Sequence, residues 1–210
     1  MKENNWFDPF YIQSHLSEEE SNIQKNVRDF CNNELKPTVV ERNRKNEFDQ
    51  NLYLKFGSLG VLGQTVKTHG GSGTSNLAYG LVAYEFEKID SSYRSSISVQ
   101  SSLVIHPINE FGSQEQKDKY LPPLIKGEKI GCFGLTESEA GSDPASMKTS
   151  FKKTKDGYIL NGSKNWITNA PIADIFIIWA IEENKDHKSI KGFIIEKNTE
   201  GLNTSTIENK

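Results

Sequence analysis

The feature that most constrains the fold is a change of hydrophobic period near Gly127. Before it, apolar residues recur every three to four positions; after it, they come in short β-branched or aromatic runs. This pattern predicts an α-helical domain over residues 1–127 followed by an antiparallel β domain over 128–210. The result is an α+β arrangement without the alternation of a parallel βαβ sheet.

In the first part, Ser17 with Glu20 reads as a capping box, and Ile23, Val27, Phe30, Cys31 and Leu35 continue a helical stripe behind it. Pro37 is expected to bend or interrupt that helix. Residues 51–56 predict a short helix closed by Gly57 and Gly60, and the Gly-rich run 69–73 reads as a connector. Leu77, Leu81, Tyr84 and Lys88 open a further helix. Residues 90–103 predict another, ending before His106-Pro107. Ser113 with Gln116 caps a last helix that Pro122-Pro123 should end after Leu121.

In the second part, residues 130–135, 158–160, 175–181 and 192–195 read as strands, and Lys155-Asp-Gly-Tyr158 as a hairpin signal. The last residues, from Thr206, read as mid-strand. A sheet stopping there would leave an open edge, so the pattern is that of a fragment.

Composition narrows the function classes. A net charge of −3 and a pI near 5.9, with Lys and Arg scattered, argue against a large nucleic-acid footprint. No apolar run reaches membrane-spanning length. Residues 1–13 show neither an apolar targeting core nor an Arg-rich amphipathic pattern. Cys31 and Cys132, about a hundred positions apart and without neighbours at ligand spacing, read as buried, inert thiols in a reducing compartment. No metal site is expected, since His15, His69, His106 and His187 share no ligand spacing. The nucleotide-loop, zinc-protease and nucleophile-elbow patterns are absent.

Two segments carry candidate chemistry. Phe133-Gly-Leu-Thr-Glu-Ser-Glu-Ala-Gly-Ser-Asp143 leaves a strand into a turn whose backbone N–H groups, with the Thr136 and Ser142 hydroxyls, form a donor-rich rim. On residue types alone it is equally an acidic surface turn, and Glu137 and Glu139 would repel an anion unless they point away. Gly162-Ser-Lys-Asn-Trp-Ile-Thr-Asn169 sets a flat apolar Trp beside a hydroxyl at a strand end, a wall suited to an isoalloxazine ring. A core Trp with a hydrogen-bonded Thr fits the same residues.

Taken together, FGLTESEAGSD followed by GSKNWITNA resembles the paired flavin signatures of the acyl-CoA dehydrogenases, with KYLPPLIKG (119–127) just ahead of the β domain. The resemblance covers nearly the whole chain. The departure is Ser138-Glu-Ala140, where relatives often carry Pro and Asn.

The resemblance implies FAD as cofactor. Phe133, Gly134, Leu135 and Thr136 would meet the pyrimidine edge through backbone groups and the Thr136 hydroxyl. Gly141 and Ser142 would meet cofactor phosphate and the pantetheine arm of the thioester. Trp166 and Ile167 would pack on the ring, with Thr168 near N5.

A third segment, Glu87 to Leu103, resembles the glutaryl-CoA dehydrogenases, which carry an Arg-Ser here to receive a distal carboxylate. Arg94 and Ser95 would do so, and Arg94 is a permanently charged, fork-shaped donor. Glu87, seven residues earlier and about 20° off the same face of a continuous helix, could hold the guanidinium.

The implied reaction is α,β-dehydrogenation of an acyl-CoA, with decarboxylation of glutaryl-CoA to crotonyl-CoA as in lysine and tryptophan degradation. The electrons would go to an electron-transferring flavoprotein. The implied base is a Glu of a C-terminal helical domain, so the fragment alone would be inactive. A homotetramer in a bacterial cytoplasm or mitochondrial matrix is implied for the complete protein. An acyl-CoA oxidase or flavin monooxygenase on the same fold, or a binding module that has lost the chemistry, are the alternatives.

Overall fold

The computed structural model describes residues 8–207. Helix α1 (Glu18–Phe30) starts on the expected capping box. Ser17 Oγ accepts from Glu20 N at 3.2 Å, and Glu20 returns a carboxylate to Ser17 N at 3.0 Å. A π-turn over Cys31–Leu35 follows, and the chain turns around Pro37 into α2 (Val39–Lys45).

Helix α3 (Leu52–Ser58) runs through Gly57 rather than ending there. Close approach explains that glycine: a Cβ would lie 2.1 Å from the Lys126 carbonyl oxygen. Gly127 on the opposing segment is as tight, 1.9 Å from the Tyr53 carbonyl oxygen. These two bare positions let α3 lie directly on the end of the last helix.

Helix α4 (Asn76–Glu87) buries Ala78, Leu81, Val82, Glu85 and Phe86. Its inward stripe therefore lies one residue round from the expected one, leaving Leu77 and Tyr84 about half exposed. The next helix continues past its expected end. Helix α5 (Ser91–Ser98) runs through a π-turn (Val99–Ile105) into α6 (His106–Phe111). Pro107 is accommodated because it falls in the first turn of the renewed α-register, where an N–H is dispensable.

Helix α7 (Gln114–Ile125) likewise contains Pro122 and Pro123 instead of stopping before them. The carbonyls that lose donors belong to Asp118 and Lys119, which face solvent. The core is built on an aromatic cluster: the Phe56 and Phe86 rings meet edge-on at 5.3 Å, with Phe30 about 6 Å from each.

The strands are β1 (Gly131–Gly134), β2 (Ser150–Lys153), β3 (Tyr158–Asn161), β4 (Ile175–Glu182) and β5 (Lys191–Glu196). The sheet is mixed, which corrects the antiparallel expectation. The pairs β2–β3 and β4–β5 are antiparallel, but β1 and β2 both run parallel to β4, at Gly131↔Ile175 and Ser150↔Ile181. Parallel partners need long connections: the chain between β1 and β4 runs over residues 135–174, with one candidate segment joining β1 to β2 (135–149) and the other joining β3 to β4 (162–174).

Strand β2 was not expected. Ser-Phe-Lys-Lys has one apolar residue, Phe151, and its place is set by backbone pairing. At the chain's end, residues 203–207 belong to no strand, against the mid-strand reading; residues 208–210, like 1–7, lie outside the described residues.

The face of β4 carrying Ile175 and Ile177 joins the helical core, while Phe176 on the other face packs with Cys132 and Ala173. Gln100, fully buried in the π-turn, ties helices to sheet. Its amide donates to the Leu124 and Lys129 carbonyls, each at 2.9 Å, and its oxygen accepts from Gly131 N at 2.8 Å. Both cysteines are free and buried, and burial pushes each thiol up to about 12. Among the described residues no helix is long and apolar enough to cross a membrane, and no cluster of His, Cys, Asp and Glu could hold a metal.

Candidate functional site

The first candidate segment leaves β1 with Phe133 packed on the core and with Ser138, Glu139, Gly141 and Ser142 exposed. The Phe133 ring packs edge-on against Trp179 at 6.0 Å and joins the core, so only the main chain at this position can meet a ligand. Beyond Gly134, the Leu135 carbonyl accepts from Lys164 Nζ at 3.0 Å, and the Thr136 carbonyl from Asn165 N at 2.9 Å. The second segment thus grips the first from below.

Glu137 does not face an incoming anion. It lies within the grip, accepting from Lys164 Nζ at 2.7 Å, Lys148 N at 2.7 Å and Thr149 N at 3.0 Å. Burial pushes its carboxyl up, but the bonds from Lys164, Thr149 and Lys148 outweigh that and hold it down to about 2. Glu139 is ion-paired with Lys148. Both charges that would have opposed an anionic ligand are therefore neutralised within the loop. Gly141 and Ser142 lie exposed at its tip. Among the described residues, neither the N–H nor the hydroxyl of Thr136 has a hydrogen-bond acceptor.

Trp166 and Thr168 are not at a strand end. They stand in the crossover between β3 and β4, five residues or more past Asn161. Trp166 adopts a left-handed backbone (φ 61°) and is 65% exposed, which rules out the core-Trp reading. Ile167 is half-buried against the Cys132 and Phe176 cluster and anchors the turn, while Thr168 is exposed beside it. Asn169 Nδ2 donates to the Gly131 carbonyl at 3.1 Å, binding the turn to β1. An exposed flat ring, a hydroxyl next to it and, on the adjoining loop, an amide without an acceptor among the described residues fit the edge and face of a planar heterocycle.

Arg94 and Glu87 are in contact, although the helix is not continuous between them. Helix α4 ends at Glu87, and α5 begins at Ser91 on an Asp90 cap. Arg94 Nε donates to Glu87 Oε2 at 2.7 Å, and Nη1 to Ser98 Oγ at 3.3 Å. Ser91 Oγ holds the other Glu87 oxygen at 2.7 Å, and the Ser91 and Arg94 bonds together lower the Glu87 carboxyl. The guanidinium keeps donors to spare. Ser95 is half-buried on the same helix.

The Tyr53 hydroxyl donates to the Ser96 carbonyl at 3.4 Å, linking α3 to the Arg94 helix. Sequence reasoning missed Lys164, Asn165 and Ser98.

A helical bundle on a mixed sheet, with two crossover loops interlocked into one donor-bearing wall, is the architecture of the front two domains of the acyl-CoA dehydrogenases. The family descriptions match directly: "Acyl-CoA dehydrogenase, N-terminal domain" over residues 17–128 and "Acyl-CoA dehydrogenase, middle domain" over 132–210. The chain belongs to the acyl-CoA dehydrogenase family.

It is 39% identical over 198 residues to the short-chain specific acyl-CoA dehydrogenase of Clostridium acetobutylicum, covering 93% of this chain and 52% of that protein. A glutaryl-CoA dehydrogenase from Mycobacterium smegmatis in complex with FADH2 superposes with a TM-score of 0.92 at 40% identity, over 96% of this chain and 51% of that one. The butyryl-CoA dehydrogenase of Megasphaera elsdenii gives 0.81 at 39%, over 89% and 50%. The chain thus spans about half the length of the relatives it matches.

Proposed function

We propose that this chain supplies the helical and sheet domains, meeting at Gly127–Glu128, of an FAD-dependent dehydrogenase that oxidises glutaryl-CoA and releases crotonyl-CoA and carbon dioxide. The observation that carries the substrate is the Arg94–Glu87 pair at 2.7 Å. Overall identity does not choose among substrates, because relatives named for short-chain, butyryl and glutaryl thioesters are about equally similar. A guanidinium held by Glu87 and Ser98, with donors remaining, is suited to a second carboxylate at the far end of an acyl chain. A plain acyl chain gives that cation nothing to bind.

In this reading the flavin, when bound, supplies the hydride acceptor at N5. The backbone of Phe133, Gly134 and Leu135, with Thr136, holds its pyrimidine edge. Trp166 and Ile167 wall its ring, and the Thr168 hydroxyl stands near N5. Gly141 and Ser142 meet cofactor phosphate and the pantetheine arm.

Glu87, Glu137 and Glu139 are each committed to a cation, so none is poised to take the α-proton. We assign that step to a Glu of the C-terminal helical domain of the longer protein, which also completes a homotetramer. Electrons leave to an electron-transferring flavoprotein, and the bacterial cytoplasm or mitochondrial matrix suits such an enzyme.

The test is a fusion of residues 1–210 to the back half of the Mycobacterium smegmatis glutaryl-CoA dehydrogenase, assayed by flavin bleaching. Arg94→Gln should lower kcat/KM for glutaryl-CoA by about a hundredfold or more while pentanoyl-CoA oxidation falls little. Equal losses on both thioesters would assign Arg94 to general structure. Poor parent activity on glutaryl-CoA alone would move the protein to another branch of the family.

A further inference from the structure

The Lys164–Glu137 ion pair is the most buried in the described structure, with side chains 7% and 10% exposed. It lies at the crossing of the two candidate loops. Lys164 Nζ reaches the Leu135 carbonyl at the loop's start, Glu137 just after it and the Met147 sulfur near its end. Glu137 in turn collects the amides of Lys148 and Thr149, where the loop enters β2. Burying two charges is costly, and a pair of apolar residues would pack the loop at lower cost. The pair therefore calls for a role that apolar residues cannot fill, and the Leu135 carbonyl supplies one.

A trans peptide is planar, with its N–H opposite its C=O. Once Lys164 takes the Leu135 carbonyl, the N–H of the same peptide, that of Thr136, must point away from Lys164. The Thr136 carbonyl is fixed separately by Asn165 N, so this residue cannot rotate freely on either side. A cation on the carbonyl also polarises the peptide and makes its N–H a stronger donor.

We infer that Lys164, held by Glu137, is a positioning residue for the cofactor, capturing the Leu135 carbonyl so that the Thr136 amide is presented and polarised toward the ring edge. This rests on the flavin reading above but assigns a role to two side chains outside the ring-contacting set. Lys164 touches no ligand; it acts through one peptide.

The experiment compares Glu137→Gln with Glu137→Gln/Lys164→Met in this chain. Both remove the Glu137 charge and leave one carboxamide oxygen where the Lys148 and Thr149 amides met separate carboxylate oxygens, so that loss is common to the two variants; only the double variant loses the donor to the Leu135 carbonyl. FAD dissociation constants come from fluorescence titration. The Leu135 carbonyl 13C shift and the Thr136 amide shifts are read without flavin, and melting temperatures are recorded beside them.

The double variant is expected to bind FAD about tenfold or more weakly than Glu137→Gln, with both sets of shifts moved and melting temperatures close together. Equal FAD affinities in the two variants, or unmoved shifts, overturn the inference. Should the double variant fail to fold, Lys164→Arg, which keeps the charge but displaces the donor, is compared with the parent on the same readouts and criteria. A parent chain that binds no FAD refutes the flavin reading first, and this inference with it; a parent that binds while the variants agree refutes this inference alone.

Discussion

Replacing Gln100 with Met keeps an unbranched side chain of similar length but removes all three hydrogen bonds at the helix–sheet junction. The Gly131 N–H then loses its acceptor just as β1 begins, and the Lys129 carbonyl loses its donor. The Leu124 carbonyl keeps the Gly127 N–H at 3.2 Å and costs little. An unsatisfied buried group costs about 1–3 kcal/mol, and Lys129 is near enough to solvent to recover part of that, so the expected loss is about 2–4 kcal/mol. Against a typical domain stability of about 5–15 kcal/mol this is a large effect. Gln100→Glu should be worse, because it places a carboxylate against two carbonyls. Equilibrium urea unfolding, followed by both Trp fluorescence and circular dichroism, gives the values with m as a check. A Met variant within about 0.5 kcal/mol of the parent would show that Gln100 does not join the two halves.

The Glu137 carboxyl, held down to about 2 against an ordinary value of 4.5, gives stability that is complete above pH 4.5 and lost as pH falls toward 2. Acid unfolding of Glu137→Gln should lack that contribution, so its stability should change less between pH 4.5 and pH 2.5 than the parent's; parallel curves would contradict it. Cys31 and Cys132, buried and with thiols pushed up to about 12, should not react with a disulfide reagent in the folded chain and should both react in denaturant. Rapid labelling of either in the native state would contradict their placement.

Much of the fold is legible in short-range chemistry. The capping boxes at Ser17 and Ser113 form as read, because their bonds close within one turn. The change of period at Gly127 marks the step from helix to strand. What the sequence hides is set at longer range. A π-turn at Val99–Ile105 lets Pro107 continue a helix that its local preference would end. Strand β2 has almost no pattern of its own and is positioned by β3 and β4. The Lys155-Asp-Gly-Tyr158 signal marks the turn between β2 and β3, but turn residues carry no information on the parallel pairs, whose register is fixed across long connections.

At the site, Arg94 and Glu87 meet as expected but through a helix break and the Asp90 cap rather than along one continuous helix. Lys164 was not legible, since nothing in Gly-Ser-Lys-Asn distinguishes an inward lysine from a solvated one. Only its neighbours Leu135 and Glu137, nearly thirty residues away, give it a role.

The central claim is that the loops after β1 and β3 form one flavin wall, and Trp166 tests it most directly. At 65% exposure its ring lies mostly outside the core, so Trp166→Ala should lower the melting temperature far less than loss of a core aromatic such as Phe56 would. If the ring walls the cofactor, the same change should loosen FAD by roughly 1–3 kcal/mol, tenfold or more in dissociation constant. Titration of FAD into the folded parent and variant chains should show that loss. Equal affinities would contradict the flavin wall.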